Sequence, residues 1–221
     1  MFIFVRAMQR AARTQSTQKR LPKSQRTRAA IVDAGYRLFL NKGYHATSMR
    51  EIADEVGLSL GAAYNHFHGK EDIFVSILKE RHPFLQILPV MQAARGDTVE
   101  ALVHDAAARM IEILEQRQDV LNLMFIELVE FEGKHVPELF ELFFPPLIEF
   151  AQRFARARGP LRPIPLPVIL RAFIGLFFSY FITEKLIGSQ LPPEMKEGAF
   201  DHFVDVYLHG ILEQSSVISH Q

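Results

Sequence analysis

Apolar residues recur at helical spacing near the start of the chain, and the pattern predicts four consecutive helices between residues 24 and 82. The first covers residues 24–42 and stops at Gly43, a residue that commonly follows a helix end. The fourth opens at Lys70 and ends before Pro83, which cannot continue a helix. The positions predicted to be buried on these two helices are Ile31, Ala34, Leu38, Phe39, Ile73, Phe74, Ile77 and Leu78.

The second predicted helix begins after Thr47 or Ser48, either of which can cap it through a side-chain oxygen. Glu51 stands three residues after Ser48 and completes a capping box. Gly57 follows the apolar stripe at the position where a left-handed residue ends many helices. The stripe itself consists of Met49, Ile52, Ala53 and Val56.

The third predicted helix is capped by Ser59 and covers residues 60–67, with Ala63 and Phe67 facing inward. Leu58 fills the tight turn before it. Two short helices joined in this way form a helix-turn-helix, whose second helix enters the major groove of DNA.

The rest of the chain predicts longer helices, which make the fold all-α, with an N-terminal three-helix domain and a larger helical C-terminal domain. These helices cover residues 98–116, 119–131, 137–157, 168–186 and about 194–214. Pro145-Pro146 predicts a kink in the third of them.

The helix over residues 168–186 is apolar on every side, which is typical of a membrane span or of a deeply buried helix. We prefer burial, because the apolar run is short, Arg171 interrupts it and the sequence has no second span. One side would face an internal pocket and the other a second subunit. Together with the last helix it would form the four-helix seam of a homodimer.

Charge is distributed unevenly, although the net charge of the chain is zero. Residues 1–70 hold 12 Lys and Arg against 4 Asp and Glu, a net +8, and residues 71–221 carry the opposite charge. A basic headpiece attracts phosphate, so the split favours DNA binding by the helix-turn-helix. The chain has no cysteine, which is consistent with a cytoplasmic location and excludes disulfides and thiolate metal sites.

Residues 1–23 are basic and polar after a short apolar run, and we predict a flexible arm that can touch DNA. An organellar transit peptide has a similar composition, and Met8 could also begin the protein. The predicted domains are therefore the arm, the DNA-binding domain over residues 24–70, and residues 71–221.

One pattern is more specific than a pair of helices. Ser59, Gly61, Tyr64, His66, Phe67 and Lys70 form S-x-G-x-x-Y-x-H-F-x-x-K, preceded by Thr47, Ile52 and Ala53. The pattern resembles the TetR-type one-component transcriptional repressors. This resemblance implies a ligand-binding C-terminal domain, dimerisation through the last two long helices, and release of an operator when a small molecule binds.

The outward face of the helix-turn-helix supplies the candidate DNA contacts. Asn65 is the best candidate for a base contact, because an amide can bind adenine through two hydrogen bonds. Arg50 could reach phosphate or guanine, and Gly61 lets the backbone approach DNA closely. Thr47, Tyr64, His66 and Lys70 are predicted phosphate contacts, while Ser59, Leu60 and Ala62 could make hydroxyl or methyl contacts. Tyr64 and His66 could instead pack in the core, and Asn65 could simply be solvated.

The 19 phenylalanines of the chain favour an apolar or aromatic ligand among the C-terminal helices. The predicted walls are Met110, Leu114, Met124, Phe125, Phe143, Phe144, Phe177, Tyr180 and Phe181. Such stripes also occur in plain cores. The predicted polar anchors are Arg109, Glu127, Glu130, Tyr180 and Glu184, although Glu127 and Glu130 would instead favour a cation.

Four other interpretations are weaker. His202, Asp205 and His209 share a helix face and could bind a metal, but exposed histidines explain them as well. Gly61 and Gly69-Lys70 lack the spacing of a phosphate-binding loop. An enzyme or carrier with an incidental helical N-terminus, or an architectural DNA-binding protein without a ligand, remain alternatives. We predict no enzyme activity, no cofactor and no membrane partner.

Overall fold

The computed structural model describes residues 22–82, 84–117 and 119–213, and within these ranges the chain is α-helical with no strand beyond two isolated bridges. The predicted all-α fold is confirmed. The chain divides into two compact units, Met1–Glu80 and Arg81–Gln221. Most of the predicted basic arm lies outside the described residues, as do Pro83 and the predicted end of the last helix.

The first unit contains α1 (Lys23–Lys42), α2 (Met49–Val56), α3 (Leu60–Tyr64) and most of α4 (Lys70–Arg81). Helix α1 ends at Gly43, whose φ of 87° is unfavourable for other residues. Gly35 brings α1 close to α4, because a Cβ added there would lie 2.6 Å from Cγ2 of Ile73. The small core of the unit is formed by Ile31, Val32, Ala34, Phe39, Ile52, Ala53, Ala63, Ile73, Phe74, Ile77 and Leu78.

Helix α3 is shorter than predicted. It ends at Tyr64, whereas the spacing of apolar residues predicted a helix over residues 60–67. Phe67 is nevertheless buried, because the turn after Tyr64 carries its ring into the core beneath the Arg28 guanidinium, 4.3 Å from the ring centroid. The apolar spacing was therefore correct about burial and wrong about the helix end.

In addition to Arg81, the last residue of α4, the second unit contains seven described α-helices and the short 3-10 helix Gly188–Gln190. The α-helices are α5 (Phe84–Gln92), α6 (Val99–Gln116), α7 (Asp119–Glu130), α8 (Val136–Arg156), α9 (Leu166–Ile187), α10 (Pro193–Lys196) and α11 (Ala199–Ile211). Thr98 caps α6 as an acceptor from the Ala101 N–H. Helix α8 continues through Pro145-Pro146, where the sequence predicted a kink.

An aromatic cluster fills the centre of this unit. Phe173 of α9 contacts Phe150, Phe154, Phe177 and Tyr207, with ring centroids 4.8 to 6.2 Å apart. The Tyr207 hydroxyl donates to the Ile169 carbonyl at 2.9 Å, so its polar end is satisfied within the core. Five of the helices, α5, α6, α8, α9 and α11, supply the buried side chains of this core.

The last predicted helix is divided in two. Helix α10 ends at Lys196, and α11 begins after Gly198, whose φ of 65° interrupts a continuous helix. Helix α9 buries one stripe, which contains Ile169, Leu170, Phe173, Phe177 and Phe181. By length and composition alone, α9 with the turn after it is also long and apolar enough to cross a membrane.

Candidate nucleic-acid interface and effector cavities

The start of α2 is fixed by the capping box predicted from the sequence. The Ser48 hydroxyl accepts from the Glu51 N–H, and the Glu51 carboxylate accepts from the Ser48 N–H at 2.9 Å. The Lys42 ammonium donates to the same carboxylate at 2.9 Å. This ammonium and the Ser48 donors lower the pKa of Glu51 to about 2, so the carboxylate stays ionised at neutral pH. Gly57, in the left-handed conformation at φ 72°, ends the helix.

Helix α3 presents most of the candidate DNA contacts on its outer side. Ser59 caps it by accepting from the Ala62 N–H at 3.2 Å. Tyr64 is 48% exposed, and Asn65 is exposed immediately after the last helical residue. Gly61 is also exposed, while Leu60, Ala62 and His66 are half-buried. The chain can therefore offer an amide, a phenol and bare backbone to a neighbouring surface.

Arg50 is the second residue of α2 and is exposed. Within the described residues its guanidinium makes no hydrogen bond or ion pair. By contrast, Arg37 donates to Glu55 at 3.2 Å and Lys42 to Glu51. Arg50 is therefore an exposed cation of the helix-turn-helix without an ion-pair partner among the described residues.

Two of the predicted phosphate contacts have other roles. Thr47 is 1% exposed, and its hydroxyl donates to the Gly43 carbonyl at 2.9 Å. The Lys70 ammonium donates to the carbonyls of Tyr44, His45 and Thr47 at 2.7, 3.3 and 3.0 Å. It also lies 4.4 Å from the Tyr44 ring centroid. All three donors of Lys70 are used inside the unit, so these hydrogen bonds do not support the phosphate role of Thr47 and Lys70, which stays a prediction.

Two apolar cavities lie in the second unit. Cavity A has a volume of about 490 Å³ and lies between α7, α8 and the C-terminal half of α9, with His82 in its wall. Cavity B, of about 510 Å³, lies between α5, α8 and the N-terminal half of α9. Both volumes are within the range typical of small-molecule sites. The two cavities share Phe140 and Phe143 as lining residues.

The structure brings only some of the predicted ligand residues to these cavities. Met124, Phe125, Glu127 and Phe143 line cavity A, and Phe143 and Phe144 line cavity B. Met110, Leu114, Phe177 and Phe181 are buried in the aromatic core instead, and Tyr180 packs against it. Arg109 pairs with Asp105 at 2.6 Å. None of these six positions lines cavity A or cavity B, and their role in ligand binding stays a prediction.

Several lining residues were not predicted. In cavity A they include His82, Leu128, Val136, Leu139 and Phe140, and in cavity B they include Leu88, Ile148 and Arg171. One signal could have identified them: α7 and α8 contain more large apolar residues than the core buries. Leu128 and Phe140 remain 65% and 54% exposed. Large apolar residues that remain exposed often mark a binding surface.

Glu127 is held by a buried pair at the edge of cavity A. Its carboxylate accepts from the His135 N–H at 2.7 Å and contacts the His135 Nδ1 at 2.8 Å. The two residues are 5% and 8% exposed. The pair closes the turn between α7 and α8, in which Gly133 has a φ of 77°. Both carboxylate oxygens of Glu127 are therefore occupied.

His82 directly follows α4 in the chain and lines cavity A beside Phe143, with ring centroids 5.0 Å apart. Burial, and then the positive charge of Arg117, lower its pKa to about 4 from an ordinary 6.5. Arg117 is itself held by Asp119 and donates to the Arg81 carbonyl at 2.9 Å. His82 is accordingly neutral at physiological pH.

We expect His82 to make stability fall in mild acid. The unfolded chain binds a proton near pH 6.5 and the folded chain only near pH 4, so stability is lost as the pH falls between these values. At pH 5 the loss is about 2 kcal/mol relative to pH 7. Urea unfolding of the wild type and of His82→Gln at both pH values measures it. The same pH dependence in both proteins would contradict the assignment.

The metal hypothesis gains no support from geometry. His209 contacts Asp205 of the preceding turn, with Nδ1 3.2 Å from the carboxylate and 2.9 Å from the backbone carbonyl. Across the part of the chain that the structure describes, there is no group of three metal-binding side chains.

The helix-turn-helix, followed by a larger helical unit with apolar cavities, defines a helix-turn-helix transcriptional regulator. The family model for "Bacterial regulatory proteins, tetR family" matches residues 31–77. The repressor BepR of Brucella suis is 30% identical over 171 residues, which are 71% of this chain and 80% of BepR. The chain belongs to the TetR family.

Two further proteins agree along nearly their whole length. The regulator YvkB of Bacillus subtilis is 24% identical, over 84% of this chain and 97% of YvkB. The crystal structure of NalD, the secondary repressor of the MexAB-OprM multidrug efflux pump in Pseudomonas aeruginosa, superposes with a TM-score of 0.60 at 24% identity. That comparison covers 87% of this chain and all of NalD.

Proposed function

We propose that the protein is a cytoplasmic repressor that binds a palindromic operator as a homodimer and is not an enzyme. The observation that carries the proposal is the exposed edge formed by Arg50, Tyr64 and Asn65 on a capped helix-turn-helix. In a dimer, two such edges would enter successive major grooves about 34 Å apart. The repressor role of BepR supports the sign of regulation.

The proposed dimer forms through α9 and α11, the last two long helices. Each retains exposed apolar residues, which include Val168, Leu186 and Ile187 on α9 and Val206 on α11. A second subunit would remove these side chains from water. Residues 24–70 are proposed as the DNA-binding domain and residues 71–221 as the ligand-binding and dimerisation domain.

The effector is proposed to be a mainly apolar small molecule in cavity A. The cavity wall includes His82, which follows the last residue of α4, and the carbonyl of that residue accepts from Arg117. A ligand that favours one position of this wall would change the position of α4 and so the operator affinity. It can act only through a difference in affinity between the two states.

Selection from random duplexes, followed by fluorescence anisotropy across salt concentrations, tests operator binding. We expect an inverted repeat and an affinity that falls linearly with the logarithm of the salt concentration. Arg50→Ala should reduce that slope by about 0.9 if Arg50 contacts one phosphate. Asn65→Ala should cost about 1–3 kcal/mol at one base pair of each half-site. Arg37→Ala, which removes a cation already paired with Glu55, is the control.

An operator affinity that does not change with salt, or selection without an enriched repeat, would overturn the proposal for DNA binding.

The neutral fluorophore N-phenyl-1-naphthylamine tests ligand binding in cavity A. It should bind the wild type and weaken operator binding. Val136→Trp, at the cavity wall, should block both effects, whereas Val129→Trp on the exposed side of α7 should block neither.

A further inference from the structure

Arg171 is an unusual residue for its place in the fold. It lies on α9, a helix of mostly apolar residues, and it is the only charged residue among the described residues that line cavity B. Its side chain is exposed, and within residues 22–82, 84–117 and 119–213 no hydrogen bond or ion pair occupies its guanidinium. A cation at the edge of an apolar cavity can hold an anion there.

The two cavities are separated by two side chains of one helix. Phe140 and Phe143 line both. Phe143 is nearly buried against His82, but Phe140 is 54% exposed, and its ring contacts that of Phe144 with centroids 4.8 Å apart. A rotation of Phe140 would join the cavities into one apolar trough with Arg171 at one end.

The titratable residues that line this trough differ in whether they can pair with a charged ligand. Glu127 in cavity A has both carboxylate oxygens occupied by His135, so it offers little to a ligand cation. His82 is neutral at physiological pH. Arg171 is thus the uncommitted charge of the lining, and it is positive. This arrangement opposes the alternative that Glu127 selects a cationic ligand.

We propose that cavities A and B together bind a single-chain amphiphilic anion. Its carboxylate pairs with Arg171, and its unbranched hydrocarbon tail passes Phe140 and Phe143 into cavity A. This inference rests on the proposed effector site and names the class of ligand that the site takes. The exposed carboxylate end and the buried tail match the polar and apolar ends of the trough.

Calorimetry on the full chain with matched twelve-carbon ligands tests the head group. We expect dodecanoate to bind about fivefold more tightly than methyl dodecanoate, as for an exposed ion pair, and dodecyltrimethylammonium to bind more weakly than either. Arg171→Gln should remove the advantage of dodecanoate over the ester, and Arg171→Lys should keep it. Equal binding of anion and cation, or an advantage that survives in Arg171→Gln, would overturn the proposal.

Chain length tests the tail. Dodecanoate should bind about 200-fold more tightly than octanoate, because four more methylene groups leave water. Val136→Trp should reduce that ratio by shortening cavity A, and Val129→Trp should not. An unchanged ratio in Val136→Trp would place the tail elsewhere and overturn the proposal. If the methyl ester binds and weakens operator binding while Arg171→Gln has no effect on dodecanoate, the proposed function stands and only this inference fails.

Discussion

Replacing Lys70 with methionine is expected to destabilise the helix-turn-helix unit by about 3 kcal/mol, although the side chain is partly exposed. The ammonium donates to the carbonyls of Tyr44, His45 and Thr47, which lie in the loop between α1 and α2. Methionine keeps the apolar stem and removes every donor. Operator affinity should fall at least tenfold, because the loop positions α2, while the salt slope should stay unchanged.

Urea unfolding and anisotropy across salt concentrations measure the two effects of Lys70→Met. Lys42→Met is the matched control, since Lys42 forms only an exposed pair with Glu51 and its loss should cost below about 1 kcal/mol. Unchanged stability with a slope reduced by about 0.9 would show that Lys70 contacts a phosphate, as the sequence suggested, and would contradict the structural role.

Lys70 also illustrates what a sequence pattern cannot specify. Its partner carbonyls lie 23 to 26 positions earlier in the chain, and only the folded loop brings them within reach of the ammonium. Thr47 was a candidate for the cap of α2 and for phosphate, yet its hydroxyl turns back to Gly43. The sequence alone therefore does not show whether a polar residue of a DNA-binding motif contacts DNA or stabilises the fold; its hydrogen bonds in the structure are also needed.

The sequence features that gave correct predictions involve residues close together in the chain. The Ser48–Glu51 capping box and the left-handed Gly57 depend on residues three to five positions apart, so the sequence contains all the information they need. The end of α3 depends instead on how Phe67 reaches the core, which is a tertiary effect. The spacing of apolar residues predicts which side chains are buried better than it predicts where the helix ends.

The cavity residues were harder to predict, because periodicity identifies the inward face of a helix but not what occupies the space in front of it. Phe177 and Phe143 are both buried on inward faces. Phe177 contacts Phe173 and Tyr207, whereas Phe143 contacts His82 and lines cavity A. The difference arises from the neighbouring helices, and the sequence of either helix alone does not contain it.

Replacing Glu127 with leucine is expected to lower the free energy of unfolding by about 3–5 kcal/mol. The substitution removes the Glu127 acceptor from the buried His135 N–H and ring, and the loss of a buried hydrogen bond to a carboxylate is costly. His135→Leu should also be destabilising, because the Glu127 carboxylate then retains only the backbone donor at position 135. Urea unfolding at pH 7 measures both variants.

The double variant Glu127→Leu, His135→Leu separates a mutual interaction from two independent losses. With both side chains apolar, the remaining loss is the Glu127 acceptor of the backbone N–H at position 135, which should cost about 1–3 kcal/mol. The double variant should therefore be more stable than Glu127→Leu alone, with a coupling energy well above the few tenths of a kcal/mol seen for independent sites. Strictly additive losses would contradict the pair. Because this pair closes the turn between α7 and α8 beside cavity A, the coupling also measures how firmly that wall is held before a ligand enters.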